Sequence, residues 1–161
     1  ADMRVSVQEA DFDVGAETQA LAAGRSDVGA VATFVGLVRA DKLDGDSAAA
    51  QAVSAMTLEH YPGMTEKSLE AIVAEAEGRW SLLGVRVIHR FGRLVAGDRI
   101  VFVGVASSHR GDAFAACEFI MDYLKTRAPF WKKEDTPEGG RWVDARETDD
   151  AAAARWESPS G

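Results

Sequence analysis

Apolar and polar positions alternate with the period of a β-strand in several short segments of the chain. In the clearest one, residues 53–61, Met56 and Leu58 fall on one face and Glu59 on the other. The segment 28–37 is rich in valine and alanine and is expected to form a buried strand. Further strands are predicted at residues 3–8, 85–91, 99–106 and 141–146.

Apolar side chains spaced three and four residues apart predict helices. One covers residues 64–80, and a second starts at a capping Asp112 and runs to about Thr126. Asp13 is expected to cap a short helix that ends at Leu21. The core face of the second helix is expected to carry Phe114, Cys117, Met121 and Leu124.

Strands outnumber helices and do not alternate regularly with them. This pattern predicts an α+β fold with a mixed or antiparallel sheet and packed helices. We expect one domain over residues 1–161, with a peripheral tail from about residue 149 that is helical to Trp156.

The charge balance excludes some classes of partner. Acidic residues outnumber basic ones by 26 to 18, and the net charge is −8. General binding of nucleic acid or of an anionic membrane is therefore not expected, because both need a positive field. Any anion must be held by a local cluster of cations.

The cysteine and histidine content bears on compartment and cofactors. Cys117 is the single cysteine of the sequence and cannot form an internal disulfide, which favours the reducing cytoplasm. Cys117 is expected to pack in the core rather than act as a nucleophile. His60, His89 and His109 lack the spacing of metal ligands, so we expect no metal and no cofactor.

The densest cationic segment is LKTRAPFWKK at residues 124–133, with Lys125, Arg127, Lys132 and Lys133 around a proline and two aromatic residues. Cations are favoured at helix C-termini, and Lys125 is placed to pair with Asp122 one turn earlier. Alternatively, a lysine among other cations in an apolar setting loses its proton more easily and becomes a base or nucleophile. The sequence leaves both readings open.

Two further segments carry cations. His109 and Arg110 follow a strand and precede a helix, where free backbone N–H groups and side-chain donors suit a phosphate. The alternative there is a plain polar connection. Arg39 follows the strand at 28–37, a position where an arginine is commonly just solvated.

Several segments together resemble the large, catalytic subunit of molybdopterin synthase. The resemblance spans residues 28 to about 156, and its most specific block is YLKTRAPFWKKE. The segments are TFVGLVR (33–39), LEHYPGM (58–64), VIHRFGRL (87–94), GDRIVFVGVASSHRGDAF (97–114), FIMDYLKTRAPFWKKE (119–134) and RWVDARE (141–147).

The resemblance implies an α/β-hammerhead type of α+β fold, a homodimer, and a heterotetramer with a small ubiquitin-like sulfur-carrier subunit. The carrier's Gly-Gly thiocarboxylate tail would deliver sulfur to cyclic pyranopterin monophosphate, giving molybdopterin for the molybdenum cofactor. The family's catalytic lysines fall on Lys125 and Lys132. Its substrate contacts fall on Leu37, Val38, Arg39, His109, Arg110, Lys125, Lys132, Lys133 and Glu134, with Arg146 as a further candidate.

Two other functions share the same anion site. A non-catalytic pterin- or anion-binding scaffold would keep the pocket without turnover. A hydrolase of cyclic phosphodiesters would open the phosphate ring without adding sulfur, although the sequence offers it no metal cluster or histidine pair.

Overall fold

A computed structural model describes residues 4–40, 55–136, 139–143 and 152–157, with side chains described outside 132–136 and 139–143. The described elements form two sheets and three α-helices. They are β1 (Val5–Gln8), α1 (Val14–Ala20), β2 (Ala30–Leu37), β3 (Ala55–His60), α2 (Met64–Arg79), β4 (Gly84–Arg90), β5 (Gly92–Val95), β6 (Arg99–Ser107), α3 (Arg110–Arg127), β7 (Phe130–Thr136), β8 (Gly139–Val143) and a 3₁₀ turn (Arg155–Glu157).

The first sheet has the strand order β1-β4-β6-β2. β1 runs parallel to β4, and the other neighbours are antiparallel. The central strand β6 is apolar on both faces because both are covered. Val103 faces the main core beneath α2 and α3, whereas Phe102 faces Phe12 on the other side.

The second sheet, β5-β3-β7-β8, is antiparallel throughout. The buried faces of β3 and β5 form a smaller core with Val38, which follows β2. Phe130, the first residue of β7, packs against both this core and the main core. The two sheets therefore meet at Phe130.

The tail packs onto the helices through an aromatic cluster. The Trp156 ring lies edge-on to Trp80 at 5.7 Å and to Phe119 at 5.6 Å, measured between ring centroids. Its Nε1 donates to the Asp122 carboxylate at 2.5 Å. None of the helices in the described segments is long and apolar enough to cross a membrane.

The predicted α+β class, with mixed and antiparallel sheets and packed helices, is confirmed. Asp13 caps α1 as predicted, its side chain accepting from the Ala16 N–H at 3.0 Å. The predicted helix at 64–80 is confirmed by α2, and Met56 and Leu58 share a buried face of β3. Residues 40–51 show no periodicity in the sequence, and all but the first of them lie outside the described residues. The end of the strand predicted at 141–146 also lies outside them.

Four predictions need correction. The segment 28–37 is an edge strand of the described sheet, with several exposed positions, and not a buried one. The residue before α3 is His109, so Asp112 lies in the first turn, where it accepts from the Ser81 N–H. Phe114 is 65% exposed, whereas the other predicted core residues of that helix are buried. Strands β5 and β7 were not predicted.

Candidate functional site

Lys125 lies exposed in the last turn of α3, four residues before the proline that precedes β7. The predicted pairing with Asp122 is absent, because Asp122 accepts from Arg155 at 3.1 Å and from Trp156 instead. No carboxylate among the described side chains forms an ion pair with Lys125. As far as the described side chains extend, its amine is therefore available to a ligand.

Arg127, the other cation of that turn, has a structural role. Its guanidinium lies 3.7 Å from the centroid of the Tyr123 ring. It also pairs with Glu75 at 3.5 Å and with Glu157 at 3.2 Å. Of the two cations at the end of α3, Lys125 is the one without an ion pair to a described side chain.

His89 of β4 is buried close to Lys125. Burial above all, with smaller contributions from the charges of Lys125 and His60, lowers the pKa of His89 to about 3, against the opposing effect of its hydrogen bond to the Arg90 carbonyl. The ring stacks on Phe130, with centroids 3.7 Å apart and planes 18° apart. The imidazole is therefore neutral throughout the working pH range.

The buried, neutral His89 predicts a pH-dependent stability. The unfolded chain binds a proton at His89 below about pH 6.5 whereas the folded chain does not, so the free energy of unfolding falls as pH falls. Between about pH 7 and pH 5 the loss from this group is about 2 kcal/mol. Urea unfolding at the two pH values measures it, and His89→Phe should lack this component; an equal loss in that variant would contradict the assignment.

The first predicted site segment, residues 37–39, lies at the end of β2. Val38 is buried, its N–H donates to the Asp98 carbonyl at 2.9 Å, and its own carbonyl accepts from Gly97 at 2.8 Å. Leu37 and Arg39 on either side are exposed. Val38 thus anchors the segment, and its neighbours present their side chains to solvent at the end of the first sheet where α3 finishes.

Lys132, the second lysine predicted for the site, lies on β7. In the register of that strand, Leu58 pairs with Lys132, Thr57 with Lys133 and Met56 with Glu134. The backbone positions are therefore defined by pairing with β3, while these three side chains lie outside the described ones. Arg146 also falls outside the described residues.

His109 and Arg110 lie at the opposite end of α3 from Lys125. Both are exposed at the start of the helix, where backbone N–H groups point outward. About 15 residues at a rise of about 1.5 Å separate Arg110 from Lys125 by about 22 Å along the axis. One chain therefore brings Arg39 and Lys125 to the same end but leaves His109 and Arg110 distant.

Cys117 takes no part in this arrangement. Its thiol donates to the Val103 carbonyl at 3.7 Å, and burial raises its pKa to about 11. A thiol with so high a pKa is a poor nucleophile. Within the described parts of the chain, no three His, Cys, Asp or Glu side chains come together as a metal site.

Two contacts of this region were not predicted from the sequence. One is the stack of His89 on Phe130, because the two rings come from different sheets. The other is the hydrogen bonding of Asp122 to Arg155 and Trp156, because it depends on how the tail packs against α3. Neither contact has a local signal in the sequence.

Comparison with known proteins defines the class. The chain is 63% identical over 152 residues to the molybdopterin synthase catalytic subunit of Ralstonia nicotianae, covering 94% of this chain and 83% of that one. A solved structure of the molybdopterin biosynthesis MoaE protein from Burkholderia ambifaria is similar with a TM-score of 0.79 and 57% identity, covering 96% and 97%. A molybdopterin synthase structure from Staphylococcus aureus matches with a TM-score of 0.77 and 27% identity, covering 89% and 99%.

These similarities define an enzyme subunit of molybdenum cofactor biosynthesis. The model of the MoaE protein family matches residues 7–127. The chain belongs to the MoaE family, the catalytic subunits of molybdopterin synthase.

Proposed function

We propose that this chain transfers sulfur from the C-terminal thiocarboxylate of a small ubiquitin-like carrier subunit to cyclic pyranopterin monophosphate, giving molybdopterin. Lys125 serves as the proton shuttle or transient covalent partner of the reaction. The observation that carries the proposal is the exposed side chain of Lys125. Asp122, the acidic residue one helical turn before it, instead accepts hydrogen bonds from Arg155 and Trp156.

The neighbouring cations suit the charges of the reaction. The substrate carries a cyclic phosphate, the carrier tail ends in an anion, and opening the phosphate ring adds negative charge. Arg39, at the same end of the first sheet as Lys125, supplies a guanidinium for phosphate. Lys132 is the second lysine of the site, with Leu37, Lys133, Glu134 and Arg146 as further substrate contacts.

A homodimer completes the site. His109 and Arg110 are about 22 Å from Lys125 along α3, too far to share one substrate. A two-fold axis that sets the α3 helices of two copies antiparallel would bring Arg110 of the partner subunit to Lys125. The exposed Phe34 and Phe114, on the β2 and α3 side, supply apolar surface for such an interface.

The carrier joins this dimer as the partner subunit, one copy at each site, which gives a heterotetramer. A strongly acidic enzyme needs a local positive pocket to accept an anionic tail, and the cations around Lys125 provide one. We place the reaction in the cytoplasm, where a carrier thiocarboxylate stays reduced. No resident metal or cofactor is required by the proposed residues.

Anaerobic mixing of the protein with thiocarboxylated carrier and cyclic pyranopterin monophosphate tests the proposal, with product measured as the fluorescent oxidised pterin. We expect formation of the dithiolene-bearing product with two carriers consumed. Binding of the pterin without product would favour a scaffold. Ring opening without sulfur incorporation would favour a cyclic phosphodiester hydrolase.

A further inference from the structure

The proposed reaction makes no use of His89, a buried histidine of β4. It is 6% exposed, and its ring stacks face to face on Phe130 at 3.7 Å. The ring centroids of Phe130 and His60 are 6.0 Å apart, and those of His60 and Phe91 are 4.5 Å apart. The four rings form a continuous column between the two sheets.

The column lies at the turn that joins the two proposed lysines. Phe130 is separated from the end of α3 only by Ala128 and Pro129, and its N–H donates to the Ala128 carbonyl at 2.8 Å. Two residues beyond Phe130, Lys132 pairs with Leu58 of β3. The stack is therefore where the first sheet contacts the segment between Lys125 and Lys132.

His89 itself is held firmly. Its strand pairs with β1 at Val7 and with β6 at Val101, so its backbone is fixed from both sides. Nδ1 lies 2.9 Å from the Arg90 carbonyl, and because a carbonyl only accepts, Nδ1 carries the proton. The ring orientation is thus fixed by a hydrogen bond on one side and by a stack on the other.

The chemistry of the His89 ring suits a structural role and not a role in proton transfer. Burial keeps the imidazole neutral, with a pKa of about 3, so it neither repels the Lys125 ammonium nor serves as a base near neutral pH. A flat, neutral ring can stack on Phe130 without placing a further charge beside Lys125.

We propose that His89 is a positioning residue for Lys125: its stack on Phe130 fixes the turn between α3 and β7 and with it the spacing of Lys125 and Lys132. This inference rests on the proposed function, since it names how the reactive amines of that same site are held. Displacement of a reacting group by about 1 Å can cost up to about 100-fold in rate. A loose turn would therefore lower turnover without changing carrier binding.

Three variants separate the contributions of the ring. His89→Asn keeps a donor for the Arg90 carbonyl and loses the stack, Phe130→Leu loses the stack from the other side, and His89→Phe keeps the stack. Phe102→Leu is the matched control, because Phe102 is fully buried and contacts Phe12 on the opposite face of the first sheet. Each variant is assayed for kcat, for the KM of the carrier and for folded fraction.

We expect His89→Asn and Phe130→Leu to lower kcat about tenfold at unchanged KM, and His89→Phe to restore most of it. Phe102→Leu should keep kcat once the folded fraction is corrected for. Unchanged kcat in the first two variants, an equal loss in Phe102→Leu, or a His89→Phe variant as slow as His89→Asn would overturn the inference.

A second readout does not depend on sulfur transfer. The rate at which an acetylating reagent modifies Lys125, relative to the exposed Lys67 of α2 in the same molecule, is measured by peptide mass spectrometry. We expect this ratio to change in His89→Asn and Phe130→Leu but not in Phe102→Leu. If the unsubstituted protein transfers no sulfur, the proposed function fails, and an unchanged labelling ratio would independently remove the positioning role.

Discussion

Replacing Lys125 by alanine is expected to lower sulfur transfer by at least about 100-fold, the usual contribution of a group that moves a proton in the transition state. The protein should still fold, because the side chain is exposed and forms no ion pair with a described residue. Its melting temperature should stay close to that of the unsubstituted protein.

The measurement is the anaerobic pterin assay run beside thermal unfolding. Lys67→Ala is the matched control, since Lys67 is another exposed helical lysine, on α2 and outside the proposed site. Retention of full activity in Lys125→Ala would remove this lysine from the chemistry. Equal losses in both variants would point to a general effect of charge.

Mixing two inactive variants should restore activity if the site is built across a dimer. Lys125→Ala and Arg110→Ala each damage every site of their own homodimer. In a mixed dimer of the proposed two-fold arrangement, one site carries both substitutions and the other carries none. Random pairing makes about half of the dimers mixed, so about a quarter of all sites, and of the activity, should return.

The control pairs Lys125→Ala with Arg39→Ala. These residues lie at the same end of the first sheet in one chain, so each site of their mixed dimer keeps one substitution and no recovery is expected. Subunit exchange is verified with two affinity tags. Absence of recovery in the Lys125 and Arg110 pair, with mixed dimers demonstrated, would show that their side chains do not share a site.

Elements with one buried face were accessible from the sequence. β3 was predicted because Met56 and Leu58 point to the core while Glu59 points to solvent, which imposes a period of two. The cap of α1 was also local, since Asp13 needs only the N–H groups of the next residues. Such features depend on near neighbours in the chain.

Strands β5 and β7 depend on distant partners instead. β5 has only four residues and begins at Gly92, and a glycine in a sequence is typical of a turn. In the structure Gly92 has a φ of +92°. β7 carries so many charges that its sequence resembles a helix end, yet it pairs with β3 along its length. Local pattern cannot supply a pairing partner about 70 residues away in the chain, and β-propensity depends on that partner.

The candidate residues of the site could be named from the sequence, but their arrangement could not. The chemistry of Lys125, Arg39, His109 and Arg110 singled them out as candidates. The length of the predicted helix already implied that Arg110 and Lys125 lie far apart within one chain. What the sequence could not supply was the pairing of Asp122 with Arg155 and the stacking of His89 on Phe130, since both join distant segments.

A crystal structure of the assembled enzyme tests the central claim most directly, through the distance from Lys125 Nζ to the guanidinium groups of Arg39 and of Arg110 of the partner subunit. The proposal predicts both within about 10 Å, the range beyond which salt screens one charge from another at about 0.1 M. An Arg110 guanidinium well beyond that distance from every Lys125 amine in the assembly would contradict a shared cationic pocket, and the proposed site with it.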